Sequence, residues 1–297
     1  PYGYYDVYEL SKDSAVKAGD TWDAQEAVSA GKLANSKGVL YNALHTQLFV
    51  NSEGADKTWD ITNDVVPGYI EITKNDAEKA ANEPQACAKL NGIRYAVVNR
   101  SANKVYYPAG SGNGTEYAAG KVVAILATGT DGRCKTDKLP YGTYAVYELR
   151  ADATIQAGDT WSDTGSSIYA NNKGYLYKAQ SQTVTVTEYE KTYPVTFSDN
   201  VARGRLTVTK LITDTGDNKD GNVDVSGVRF AVVLSTGKSQ QSAYVSAKAG
   251  GGTLYEAGQV VEIITTNANG VAATGANDLP YGYYDVYELS KDSAVKA

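Results

Sequence analysis

The chain has 297 residues, a formal net charge of −6, 21% charged and 42% hydrophobic residues, 24 Tyr, two Cys, one His and no Met. That balance excludes a disordered polymer, and the length allows two domains with real cores. The mildly acidic total without a basic block argues against nucleic acid or an anionic membrane as partner, no apolar run approaches the roughly 20 residues of a membrane helix, and the single His45 leaves little for His-based catalysis or a His-rich metal site; no cofactor is expected.

In chain order, DAQEAVSAGKL (23–33) and DAEKAAN (76–82) are short, Ala-rich and read as peripheral helices. KVVAILAT (121–128), YAVYEL (144–149), TVTVTEYEKTYPVTF (183–197) and QVVEIITT (259–266) alternate β-branched and aromatic residues and predict strands. TDGR (130–133), NNKG (171–174) and NANG (267–270) predict turns. The economical reading is an all-β chain of tandem antiparallel β-sandwich modules in an extended fibre.

Internal repetition says more than composition. Residues 1–18, PYGYYDVYELSKDSAVKA, recur letter for letter as residues 280–297, a period of 279 residues (280 − 1). Within the period LPYGTYAVYEL (139–149) matches LPYGYYDVYEL (279–289), LNGIRYAVV (90–98) matches VSGVRFAVV (225–233), GYIEITK (68–74) matches GRLTVTK (204–210), AGDTW (18–22) recurs at 157–161, and ITNDVVPG (61–68) matches FSDNVARG (197–204). Two related modules therefore make one period. The clipped start at Pro1-Tyr2-Gly3 reads as a window cut from something longer.

This order of motifs, a strand ending in Thr-Lys, then (L/V)-x-G-(I/V)-R-(Y/F)-x-V, then L-P-Y-G-x-Y-x-V-Y-E, then a strand ending in Asn or Asp five residues before Gly, resembles the Cna B-type domain. Such prealbumin-like modules build stalks of Gram-positive surface adhesins and sortase-assembled pilins. The resemblance implies three parts: residues 1–66 as the C-terminal part of a module, 67–203 as a complete module, and 204–297 as the N-terminal part of a module. That last part would be completed by the next repeat or a neighbouring chain. Segments 11–50 and 150–182 carry no motif that the resemblance places.

The resemblance also implies an isopeptide bond between a Lys on the first strand and an Asn or Asp on the last, assisted by a buried acid. Carried over by position, the Lys is Lys74, the acid Glu148 and the acceptor Asp199. The corresponding set in the other module is Lys210, Glu288 (or its copy Glu9) and Asn63. Strand parity supports the register, since Val195, Phe197 and Asp199 share one face, as do Trp59, Ile61 and Asn63, while Asn200 points the other way. Chemically, a Lys buried in an apolar sandwich is driven towards the neutral, nucleophilic amine, and a buried Glu towards the protonated acid that polarises the acceptor and shuttles the proton. Water leaves from Asp199, ammonia from Asn63. Each module turns over once on itself and is not an enzyme towards other substrates. Against this stands the plain reading of a solvated strand-end Lys and a surface Glu.

Cys87 and Cys134 flank the central strands, and the aligned positions are Asn222 and Ala272, so the two thiols come and go together; the expectation is one disulfide and an extracellular, oxidising setting. DTGDNKDGNVD (214–224) has Gly216 where a calcium loop needs its first Asp, and reads as a solvated hairpin loop. Trp22 and Trp161 follow the repeated AGDT and suggest a repeated packing role rather than sugar binding. Two function classes follow. One is a structural stalk or pilus fibre on the bacterial cell surface whose partners are identical repeats or protomers; the alternative is an adhesin module binding a host matrix protein or glycan.

Overall fold

The computed structural model describes residues 1–22, 31–110, 112–162, 173–245 and 252–297, and among them the regular structure is all β. Most of the helix expected at 23–33, and the first half of the NNKG turn, lie outside the described residues.

The central segment holds β3 (Pro67–Asp76), β4 (Arg94–Asn99), β5 (Val105–Tyr107), β6 (Thr115–Tyr117), β7 (Val122–Ala127), β8 (Arg133–Lys135), β9 (Leu139–Pro140), β10 (Gly142–Glu148), β11 (Ser181–Val186) and β12 (Thr192–Asp199), numbered after β1 (Gly3–Tyr8) and β2 (His45–Val50). One sheet runs β11-β10-β4-β7 and the facing sheet β12-β3-β8, with β9 also on β3. Ile70, Ile72, Tyr95, Val97, Val123, Tyr144, Val146, Val195 and Phe197 fill the space between them. Along β3, Ile70, Ile72, Lys74 and Asp76 are buried in strict alternation, the signature of a strand with one face on a core. By contrast β4 is buried on both faces. Tyr95 and Val97 enter the inter-sheet core, whereas Ala96 and Val98 pack outward with Leu149 against Ile155 and Trp161, so residues 150–161 serve as a cover for the outer face.

Three expectations need correction. The last strand pairs with the first in parallel, from Thr192 opposite Tyr69 to Asp199 opposite Asp76, so the sandwich is not purely antiparallel. The run 183–197 is not one strand: the chain leaves one sheet after Val186 and joins the other at Thr192, turning at Glu190 with φ +51°. DAEKAAN forms no helix: the Asp76 side chain accepts the amides of Glu78 and Lys79 as an N-cap would, but Ala80 takes φ +51° and the Asp76 amide bonds the Ala81 carbonyl, so the segment closes as a tight turn at the end of β3.

The flanking segments reproduce parts of this plan. β1 pairs with β2 as β10 does with β11. In the C-terminal segment the strands are β13 (Arg203–Gly204), β14 (Thr207–Thr209), β15 (Lys219–Asp220), β16 (Val223–Asp224), β17 (Arg229–Leu234), β18 (Ala243–Val245), β19 (Thr253–Tyr255), β20 (Val260–Thr265), β21 (Val271–Ala273), β22 (Leu279–Pro280) and β23 (Tyr284–Leu289). The sheet β20-β17-β23 repeats β7-β4-β10, with Phe230, Val232, Ile264 and Leu279 in a second core. Residues 214–224 end in the exposed β15–β16 hairpin, and no metal-ligating cluster occurs among the described residues.

Two local devices recur with the sequence repeat. In LPYGxY the second Tyr hydroxyl donates back to the Pro carbonyl, Tyr144 to Pro140 and Tyr284 to Pro280, both at 2.8 Å, which pins the corner entering β10 and β23. Trp22 stacks on Tyr8 and Trp161 on Tyr147, with ring centroids 4.1 and 4.0 Å apart, in the packing role suggested by their spacing.

Candidate functional site

Parity along two strands and the pairing of two sheets converge on one buried cluster. Lys74 projects inward from β3 two residues beyond Ile72, and Asp199 projects inward from β12 two residues beyond Phe197. Phe197 sits opposite Lys74 in the parallel register, so a one-residue slip would turn Asp199 to solvent and bring in Asn200, which is exposed. Glu148 comes from the end of β10 in the facing sheet.

Lys74 Nζ lies 2.8 Å from Glu148 Oε2 and 2.5 Å from Asp199 Oδ2, and all three side chains are fully buried. Asp199 Oδ1 accepts from Gln180 Nε2 at 3.0 Å. Glu148 Oε1 has no hydrogen-bond partner. Burial drives the Glu148 carboxyl up to about 8, although the Lys74 cation pulls it down; the Asp199 carboxylate adds to the rise. Burial therefore favours the protonated form of Glu148. Tyr95 stands opposite Glu148 on β4 and packs on Phe197 with ring centroids 5.0 Å apart; its hydroxyl is also unpartnered, and burial, then Glu148 and Asp199, push its ionisation far up.

An amine in contact with a carboxyl group, beside a protonated acid and away from water, is arranged for amide condensation. In such a condensation the Nζ proton would pass to Asp199, the freed amine would attack Cγ, and Glu148 would protonate the departing oxygen while taking a proton from nitrogen. The sum is ammonium plus carboxylate giving amide plus water. Without such a bond or such pairing, each buried charge would cost several kcal/mol.

The second set of residues is not brought together. Lys210 Nζ meets Glu288 Oε2 at 2.9 Å, but their side chains are 34% and 50% exposed. Asn63 Nδ2 instead donates to Glu9 Oε1 and, at 2.7 Å, to the Leu40 carbonyl, while Glu9 Oε2 accepts the amides of Asn42 and Leu44. Each flanking segment thus holds two of the three groups, with its own copy of the acid.

The expected disulfide is absent, and both cysteines are free. Cys134 sits on β8 opposite Ile72, packs against the central core and has its thiol pushed up to about 12 by burial. Cys87 lies beyond the end of that core, its Sγ 3.0 Å from Gln240 Oε1 of the C-terminal segment. The two thiols therefore face different neighbourhoods.

Gln180 lies in a segment without a recognisable motif, and nothing in the sequence marked it. Tyr95 had a signal: in the repeat alignment its counterpart is Phe230, so the hydroxyl is an addition to one module alone.

No family model matches the sequence, and no curated protein matches it. Among solved structures the chain is similar to the Bacillus anthracis TIE protein, at 19% identity and TM-score 0.48 over 97% of this chain and 37% of that one. It is also similar to the Streptococcal ancillary pilin (13% identity, 99% of this chain and 90% of that one, TM-score 0.29). A third is the shaft pilin spaA from Lactobacillus rhamnosus GG (16% identity, 75% of this chain and 87% of that one, TM-score 0.29). The chain spans little more than a third of the length of the first of these. The chemistry of the site rests on the three side chains themselves.

Proposed function

We propose that the chain is a structural repeat of a Gram-positive cell-surface stalk or pilus, in which a Lys74–Asp199 isopeptide bond, formed autocatalytically with Glu148, joins the first and last strands of the 67–203 module. The observation that carries this reading is the dry Lys74–Glu148–Asp199 cluster bridging two sheets. β3 and β12 lie side by side and parallel, so a covalent bond between them lets tension enter by one strand and leave by the other without unzipping the hydrogen bonds between them.

The test is intact mass of the full chain with peptide mapping. A loss of one water, located in a Lys74–Asp199 cross-linked peptide and missing from Lys74→Ala and Glu148→Ala, is the expected result. An unmodified parent mass would overturn the reading.

The same reading extends to the flanking segments. Lys210 and Glu288 at one end, and Asn63 at the other, form a complete set only when residues 204–297 meet the 1–66 part of the next repeat or of a neighbouring chain. Among the described residues β23 pairs with β17, and no strand takes beside it the place that β11 takes beside β10. Complementation there would release ammonia, not water, and would make a linear fibre of identical units. Binding of a host matrix protein or glycan through the Tyr-rich surface is the second reading; Trp22 and Trp161 stack on Tyr8 and Tyr147 in a packing role.

A further inference from the structure

The central and C-terminal segments meet through a buried polar cluster that the site above does not use. Asp76 follows Lys74 on the inward face of β3 and is fully buried. Its carboxylate accepts from Tyr175 Oη at 3.0 Å and from Gln85 Nε2 at 3.0 and 3.2 Å. Gln85, itself fully buried, also donates to Glu78 Oε2 and accepts the Tyr244 amide at 3.1 Å. Glu78 receives Arg203 in a two-pronged pair, Nε to Oε1 at 3.1 Å and Nη2 to Oε2 at 2.8 Å, with the two side chains only 11% and 18% exposed. The remaining Arg203 donors reach the Tyr244 carbonyl at 2.7 Å and the Asp278 carbonyl at 2.9 Å. Backbone bonds close the contact: Ala86 N to Ser242 O, Gln241 N to Ala86 O, and Cys87 N to Tyr281 O. The Ala86 methyl enters the C-terminal core.

Beneath this lies a simpler contact that occurs twice. The first Tyr of LPYG rests on a positive-φ glycine of the preceding segment, Tyr141 on Gly38 (φ +85°) and Tyr281 on Gly174 (φ +93°). The same two backbone bonds frame both, Val66 N to Gly38 O with Tyr141 N to Val66 O, and Ala202 N to Gly174 O with Tyr281 N to Ala202 O. The glycines belong to KGVLY (37–41) and KGYLY (173–177), a further piece of the internal repeat. The polar cluster does not recur in the sequence: Pro67 stands where Arg203 does, and Ile212 where Asp76 does.

We infer that residues 76–88, Arg203 and Tyr244 form a rigid joint, so that the central and C-terminal cores move as one body. The tyrosine–glycine contact is the general joint of the repeat, and the Asp76–Gln85–Glu78–Arg203 cluster stiffens it at this one junction. A desolvated two-pronged guanidinium–carboxylate pair suits this role, because opening the joint would break up a satisfied network of charged hydrogen bonds. This inference is independent of the isopeptide bond.

Hydrogen exchange on the full chain tests it. In the parent, the amides of Ala86, Cys87, Gln241 and Tyr244 should be as protected as neighbouring strand amides. Arg203→Ala should speed their exchange at least tenfold and leave the amides of β4 and β10 unchanged. If Arg203→Ala also unfolds the cores, Glu78→Gln, which keeps the shape and loses the charge, takes its place with the same expected localised gain. Loop-like exchange of the four amides in the parent, or unchanged exchange in the variant that stays folded, would overturn the inference.

Discussion

Replacing Glu148 by Gln keeps the volume of the side chain and removes its ability to give and take a proton. Lys74 and Asp199 then remain a buried pair without their proton shuttle, and no bond should form. The stability lost is set by the loop that the bond closes, since Lys74 and Asp199 are 125 residues apart. The chain-entropy relation for a cross-link of that span gives about 5 kcal/mol. Spread over the unfolding entropy of a module of this size, that corresponds to a fall in Tm of roughly 15 °C. The assay is paired calorimetry and intact mass on parent and Glu148→Gln. The expected variant is heavier by one water and melts in that lower range. A cross-linked parent whose melting temperature matches that of an uncross-linked variant to within about 2 °C would refute the loop-closure reasoning.

Bond formation should depend on pH through Glu148. The competent form is the protonated acid, which the folded chain retains up to about pH 8 and loses above it, so nascent chains quenched at intervals should cross-link more slowly at pH 9 than at pH 7; a rate that rises through this range would contradict the assignment. Tyr95→Phe removes a buried hydroxyl without a partner and installs the residue that the sister module has in Phe230, so denaturant midpoints should rise by the equivalent of about 1 kcal/mol. A loss of that size would mean that the hydroxyl is satisfied in solution. Gly174→Ala and Gly158→Ala meet the same backbone φ of +93°, but only at Gly174 would the new Cβ lie 2.6 Å from the Tyr281 ring, whereas Gly158 has open space. The Gly158 variant should lose about 1 kcal/mol and the Gly174 variant clearly more, read as proteolytic nicking between residues 173 and 204. Finally, boiling in denaturant should leave a ladder if Lys210 and Asn63 join between chains; collapse to a single 31.6 kDa band with unmodified Lys210 would rule that out.

How the site was legible depended on a family resemblance and on strand parity. The sequence resemblance pointed to Lys74, Glu148 and Asp199, and parity checked the register of the last: because side chains alternate with a period of two, Val195, Phe197 and Asp199 had to share a face. The structure places all three in one core. Gln180 escaped because a single Gln in a loop has no pattern, and the disulfide expectation failed because joint presence of two cysteines says nothing about the direction in which each side chain points. The helix expected at 76–82 failed for a local reason: the Ala-rich composition and the Asp76 cap favoured it, but Ala80 takes φ +51° and the chain closes back on the Asp76 amide through the Ala81 carbonyl.

By itself the sequence determined the all-β class and the 279-residue period, since these follow from alternation and repetition along the chain, and its resemblance named the residues of the buried cluster. Only the tertiary structure decided that the LPYGxY tyrosine pins a corner, that β12 runs parallel to β3, that Glu148 reaches across from the opposite sheet, and that Arg203 is buried against Glu78. Those facts depend on contacts such as the 125-residue separation of Arg203 and Glu78. No local pattern encodes such contacts, because their energy appears only when two distant surfaces exclude water together.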